Sequence, residues 1–245
     1  MAGSIALVGS GEYLPQMLEL EKELIDEGVK NGKNPIYVQI PTAAGLESEH
    51  RLQYWKNLGE EQAKRLNIPS RFLPIFNRED AFNPEFVSTI NESALVYMSG
   101  GDPHYLAKTL IDTPVWQAIR QNWKSGGSIA GCSAGAMVLS KEIPHFRFSN
   151  QPPSQGFDLL PNIRVIPHFD KFFKWIPDSA AKIMMQVPDQ TILMGIDEFT
   201  ALVRNSSTNK WQVFGKGVVR VLKGAPEKNF SQKDTFDLNI EINAS

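Results

Sequence analysis

Apolar positions recur along the first half of the chain with two alternating periods, and the switching between them predicts the elements. "SIALVGS" (4–10) is a continuous apolar run closed by glycine, as a short buried strand requires. "LPQMLELEKELIDEGVKNG" follows with leucines and isoleucine at helical spacing and a glycine stop. "NPIYVQIPTAAG" (34–45) reads as the next strand with its exit loop, and "ESEHRLQYWKNLGEEQAKRLN" carries the 3.6-residue period of a second helix. "RFLPIF" (71–76) and "SALVYMSGG" (93–101) are further strands, each followed by helix-compatible sequence. Strands that alternate with helices predict an α/β fold, in which a parallel sheet is covered on both faces.

After about residue 160 the pattern becomes strand-rich with short turns: "NIRVIPHF", "TILMGIDEFTALVR", "KWQVFGKGVVRVLKG" and the terminal "FDLNIEI". These predict antiparallel strands added near the C-terminus at a sheet edge. "TILMGID" is continuously apolar, the signature of a strand buried on both faces. There is no repeat, low-complexity tract or linker-like shift, so one domain over 1–245 is expected.

Composition narrows the function classes. Hydrophobic residues at 42% and charged residues at 21% are ordinary globular values, and a net charge of −2 gives no footprint for nucleic acid. A single cysteine forms no intramolecular disulfide and excludes multi-cysteine metal sites, which fits a reducing compartment. The opening "MAGSIALVGSGEY" lacks a basic n-region, and its apolar run of about five residues is short for a signal h-region or a membrane span. A cytoplasmic chain without membrane or nucleic-acid partners is the expectation. The sequons at Asn91, Asn205 and Asn229 are then chance matches, and "GSGEYL" (9–14), without a third glycine, reads as a strand-to-helix turn rather than a dinucleotide loop.

Candidate chemistry concentrates in "GGSIAGCSAGAMVLS" (126–140), where a short strand runs through Gly131-x-Ser133-x-Gly135 into a helix. A nucleophile elbow holds its central residue in a strained turn and needs small neighbours, here Gly131, Ala134 and Gly135. Ser133 is the central residue, whereas Cys132 falls one position earlier and points back into the sheet as a small hydrophobe. The Ala134 N–H then faces a developing oxyanion, and "SGGD" (99–102) at another strand end offers Gly101 as the second donor, with Asp102 beside it.

Serine needs a base. His168 ends the strand "NIRVIPHF", where parallel-sheet enzymes present catalytic groups; His145, twelve positions past Ser133, is an alternative, His104 is placed to contact substrate or start a helix, and His50 reads as a solvated helix residue. The orienting acid stays open at this level between Asp170, Asp197 and Glu198. Strand periodicity puts Asp197 and Glu198 on opposite faces, so one of the two at most reaches the histidine.

Taken together, "SGGD", "GCSAGA", "IPHF" and "GIDEFTAL", in this order, resemble the S51 serine peptidases, which include peptidase E and the cyanophycinases. "FGKGVVRV" extends the resemblance to about residue 222. It implies a three-layer sandwich with a mainly parallel, flavodoxin-like sheet of the glutamine amidotransferase type. It also implies a Ser133–His168–Glu198 triad that cleaves amide bonds of small peptides through an acyl-enzyme, with Gly101 and Ala134 as oxyanion donors, no metal, no cofactor, and a homodimer as a family-level possibility; Asp102 and His104 are expected near substrate from their position after "SGG" alone.

The chain departs from the cyanophycinase pattern where substrate is read. Pro103 stands where those proteins carry Gln after "GGD", Ile166-Pro167 replaces Asp-Gln, and "FDKFFKWIP" replaces a run with arginines. A proline before the histidine matches peptidase E, but a cation for an acidic N-terminal residue is not evident beyond Lys171, Lys174 and Arg204. The aromatic run "HFDKFFKW" (168–175) reads as a core helix face or a pocket wall. Two other classes therefore stay in view: a silent binding or regulatory module on the same fold, and a glutaminase-like amidase using Cys132.

Overall fold

The computed structural model describes residues 1–145, 152–175 and 185–244. Five strands of its main sheet come from the first half of the chain: β1 (Ile5–Val8), β2 (Asn34–Ile40), β3 (Ser70–Phe72), β4 (Ser93–Met98) and β5 (Ser128–Cys132). They lie parallel, in the order β1-β5-β4-β2-β3. The connecting helices are α1 (Leu18–Lys30), α2 (Glu49–Leu66), α3 (Pro84–Glu92), α4 (Pro103–Leu110) and α5 (Pro114–Lys124), with α6 (Ala134–Val138) directly after β5. Three of the starts are written locally. Asn83, Asp102 and Thr113 each cap the first turn with a side-chain oxygen, and a proline follows each at the first helical position.

The period-2 alternation of the strands divides the core into two layers. Ile5, Leu7, Val96, Met98 and Ile129 pack with Leu106, Trp116 and Ile119 on one face. Ala6, Val8, Leu95, Tyr97 and Cys132 pack with Leu20, Leu24 and Ala63 on the other. The sheet is thus covered by helices on both faces, as the alternation of elements predicts.

Beyond residue 140 come β6 (Glu142–Ile143), β7 (Ser154–Gln155), β8 (Ile163–Ile166), α7 (Phe169–Trp175), β9 (Ile192–Ile196), β10 (Thr200–Arg204), β11 (Trp211–Gly215), β12 (Val219–Lys223), β13 (Lys228–Phe230) and β14 (Thr235–Phe236). β10, β11 and β14 extend the main sheet antiparallel from β1. The remaining long strands do not join that edge: β13-β12-β9-β8 form a second sheet in which β8 and β9 are parallel. "TILMGIDEFTALVR" is therefore two strands in two sheets, parted at Phe199 with φ 52°. β9 is buried throughout, as its apolar run requires.

Two other strand expectations are corrected. "RFLPIF" yields only Ser70–Phe72, because Pro74 has no N–H for the ladder and the Ile75 N–H turns back to the Leu73 carbonyl at 2.8 Å. "FDLNIEI" contributes Phe236 to β14; beyond it Leu238, Ile240 and Ile242 pack their side chains on the core without a ladder. Among the described residues no helix is long and apolar enough to cross a membrane.

The α1–α2 face also buries acidic and phenolic groups. Glu21 of α1 is fully buried, accepts the Tyr13 N–H at 3.2 Å, and lies by the packed rings of Tyr13, Tyr37 and Tyr97. Burial, with a smaller contribution from the Glu12 charge, pushes its carboxyl from 4.5 up to about 8, outweighing the Tyr13 N–H bond. The folded value exceeds the unfolded one, so the native state keeps a proton that the unfolded chain has released. Stability is then fully present below pH 4.5 and is lost as pH rises to 8, by up to about 1.4 kcal/mol per pH unit. Urea unfolding at pH 5, 6.5 and 8 should show Glu21→Gln gaining on wild type as pH rises; parallel pH curves for the two proteins would rule this linkage out.

Candidate active site

Three turns at the C-terminal ends of parallel strands bring the candidate residues together. Ser133 follows β5 with φ 50° and ψ −106°, a conformation that a non-glycine residue keeps only where its surroundings over-determine it. The surroundings here are backbone: a Cβ on Gly131 would lie 2.2 Å from the Gly135 carbonyl, and one on Gly135 would lie 2.5 Å from the Met98 carbonyl. Strand β5 and helix α6 approach that closely only because both positions are glycine. His168 follows β8 with φ 51°, and Glu198 follows β9 immediately before the left-handed Phe199.

These turns form one hydrogen-bonded array. His168 Nε2 lies 3.1 Å from Ser133 Oγ, and Nδ1 lies 3.0 Å from Glu198 Oε1. The His168 and Glu198 side chains keep 29% and 21% of their exposure, so the array opens to solvent on one side while packed on the other. Glu198 is itself held, since its N–H donates to Asp170 Oδ1 at 2.9 Å. Asp170 in turn lies 3.5 Å from the Lys171 ammonium.

Asp197, the rival acid, turns away from the histidine. It pairs with Arg220 and accepts the Val218 N–H at 3.0 Å. The two adjacent carboxylates, both past the end of β9, thus serve different partners.

Backbone donors flank the serine. Ala134 opens α6, so its N–H has no acceptor within the helix. In the loop after β4, Gly100 donates to Glu12 Oε1 at 2.8 Å and Asp102 donates to the Ala43 carbonyl at 2.8 Å. Gly101, with φ 139°, sits between them and has no acceptor among the described residues. Only one of the two glycines in "SGGD" is therefore uncommitted.

The other sequence candidates have local partners. The Asp102 carboxylate caps α4 through the His104 and Tyr105 N–H groups, at 2.8 and 3.1 Å. His104 stacks on His145 with ring centroids 4.2 Å apart, and Ser154 Oγ lies 3.0 and 3.2 Å from a nitrogen of each ring. Burial and the neighbouring His145 hold the His104 pKa below its ordinary value, against the Asp102 charge. The described ring-nitrogen contacts of both histidines go to Ser154, and His50 lies exposed on α2. Arg204 donates to Asn209, and Lys174 is exposed. Phe169 and Phe172 are buried and stacked at 5.9 Å, which places the described part of the aromatic run in the core; the side chains of Phe173 and Trp175 lie outside the described residues.

Cys132 is fully buried, with Sγ 3.0 Å from Glu12 Oε2. Burial, and then the Glu12 carboxylate, raise its thiol well above the ordinary value, the opposite of what a thiolate nucleophile needs. Sequence reasoning passed over Glu12 and assigned Asp170 no supporting role. Both act through backbone N–H groups of distant segments, and only a glutamate directly after the small residues "GSG" (9–11) hinted at the first.

Residues 5–210 match the model of peptidase family S51. A cyanophycinase from a Nostoc species is 28% identical over 207 residues, covering 78% of this chain and 64% of its own length. An uncharacterized peptidase of Pasteurella multocida is 27% identical over 184 residues, covering 73% of this chain and 85% of its own. The chain thus spans less than two thirds of the length of the Nostoc relative. Among solved structures, a peptidase from an acI-B1 actinobacterium has a TM-score of 0.94 at 59% identity, covering 97% of this chain and 98% of its own. A putative peptidase E protein from Listeria monocytogenes, with a TM-score of 0.59 at 17% identity over 91% of this chain and 100% of its own, shares the fold.

Proposed function

The chain belongs to peptidase family S51, and on that premise we propose that it hydrolyses amide bonds of small peptides with Ser133 as the nucleophile. The observation that carries the reading is the continuous array Ser133 Oγ–His168–Glu198, with gaps of 3.1 and 3.0 Å. Those distances lie within the reach a nucleophile, its base and the base's orienting group require.

The steps follow from the placement of each group. Ser133 Oγ attacks the scissile carbonyl carbon as His168 Nε2 takes the hydroxyl proton. The Gly101 and Ala134 N–H groups donate to the oxyanion that forms. The C–N bond breaks as the imidazolium returns the proton to the leaving amine, giving an ester on Ser133. Water, deprotonated by His168, then hydrolyses the ester and restores the hydroxyl. Glu198 fixes the Nδ1–H tautomer and balances the imidazolium charge.

Substrate size and sequence are the finer part of the proposal. Lys171 lies 3.5 Å from Asp170 and Arg204 donates to Asn209, so these cations already have partners in the chain, and an acidic N-terminal residue would have to be recognised by other donors. A pool of dipeptides, β-aspartyl dipeptides and simple amides, incubated with the protein and read by mass spectrometry, tests the activity and the preference together. We expect release of free amino acids by wild type and none by Ser133→Ala. A pool left intact by wild type, or cleaved equally by both proteins, removes the proposal.

A further inference from the structure

The carboxylate of Glu12, in the turn after β1, bridges the two segments that flank the serine. Oε1 accepts the Gly100 N–H at 2.8 Å and Oε2 meets Cys132 Sγ at 3.0 Å. Glu12 is 7% exposed, so neither donor is exchanged for water at little cost. A Cβ on Gly100 would lie 2.9 Å from Glu12 Oε1 and 3.4 Å from Ser133 Cβ, which puts the Gly100 backbone between this carboxylate and the nucleophile.

The consequence is a selection among successive N–H groups. With the Gly100 N–H held by Glu12 and the Asp102 N–H held by the Ala43 carbonyl, the Gly101 N–H is the one the loop leaves uncommitted among the described residues. On its other arm Glu12 holds the residue directly before Ser133. One side chain therefore sets both halves of the geometry that acyl transfer needs, the donor and the attacking oxygen. A thiol suits the second arm, because protonated Cys132 donates toward the carboxylate while filling an apolar position on the α1–α2 face.

We infer that Glu12 is a positioning residue, which acts through the Gly100 N–H and the Cys132 thiol to hold the Gly101 oxyanion donor in register with Ser133 Oγ. The inference rests on the serine-hydrolase reading above. It predicts an effect on the chemical step rather than on ligand affinity, and it predicts that an acceptor at the same place suffices for the loop arm. Displacement by about 1 Å at such a site costs on the order of 10²-fold in rate.

The test is phosphonylation of Ser133 by a fluorophosphonate, followed by intact mass at several reagent concentrations to separate the maximal rate from the apparent binding constant. Glu12→Met, similar in volume but without an acceptor, should lower the maximal rate on the order of 10²-fold and leave the binding constant within about threefold of wild type. Glu12→Gln, whose amide oxygen still accepts from Gly100, should recover most of the rate. Circular dichroism and thermal unfolding establish that each variant is folded. If Glu12→Met does not fold, Glu12→Asp, with its carboxylate withdrawn by one methylene, takes its place and should slow the same step. A maximal rate equal to wild type in the acceptor-free or shortened variant overturns the inference alone, as does Glu12→Gln failing as badly as Glu12→Met. Wild type that remains unlabelled overturns the hydrolase reading and the inference with it.

Discussion

Ser133→Ala should lower turnover by about 10⁴- to 10⁶-fold while leaving the fold intact. The hydroxyl is the only group lost, and its described partner is His168 Nε2 at 3.1 Å. Although Ser133 precedes α6, its side chain makes no capping bond there, so the helix loses nothing. Alanine meets the same backbone strain at φ 50° as serine does, so the elbow neither relaxes nor tightens. The stability change should therefore stay within about 1 kcal/mol. Product formation by mass spectrometry and a thermal melt on the same samples check both halves. Turnover within tenfold of wild type would remove Ser133 as the nucleophile, and an unfolded variant would show that the elbow depends on the hydroxyl. Cys132→Ser is the informative contrast, because its side chain lies on the opposite face of β5 among Tyr97 and Leu20.

The elbow was legible in the sequence because its constraint is local. Gly131 and Gly135 must be small for β5 to pass α6, and that requirement appears as spacing within five residues. The parallel direction of the first five strands was legible for a related reason: each apolar run is followed by its own helix, and the connection dictates the direction. Local pattern does not say which sheet a later strand joins. The runs that became β9 and β10 are separated by three residues, yet one pairs with β8 and the other with β1. That outcome depends on partners far outside any local window, Ile163 for Ile192 in one case and Val8 for Ala201 in the other.

The same limit governed the site. His168 lies just past β8, and position alone suggested it, whereas position left Glu198 one of three candidate acids. Glu12, by contrast, serves Gly100 and Cys132, which are 88 and 120 residues away in sequence. No spacing rule reaches so far. The choice between Asp197 and Glu198 was reduced by strand periodicity to one of two faces, but which face meets the histidine depends on the twist of Asp197 toward Arg220.

That choice carries the second large prediction. Glu198→Gln should lower kcat by about 10³- to 10⁴-fold at neutral pH, with little change in folding. The amide has two ways to face Nδ1, and both harm the reaction. With its oxygen toward the ring it keeps the tautomer but no longer balances the imidazolium that forms as Ser133 is deprotonated. With its NH₂ toward the ring it donates to Nδ1, which moves the ring proton to Nε2 and leaves Ser133 facing a donor instead of a base. The side chain stays in place in either case, because the backbone of Glu198 is anchored by Asp170 independently of its carboxylate. Asp197→Asn should behave oppositely. It weakens the Arg220 pair and the Val218 contact between β9 and β12, so it should lower the melting temperature while kcat stays within about tenfold, as substitutions outside the reacting array do. Steady-state kinetics and thermal melts on the two variants separate these cases. If Asp197→Asn abolishes turnover and Glu198→Gln spares it, the orienting role passes to Asp197, and the histidine must work in a different rotamer from the one that places Nδ1 3.0 Å from Glu198.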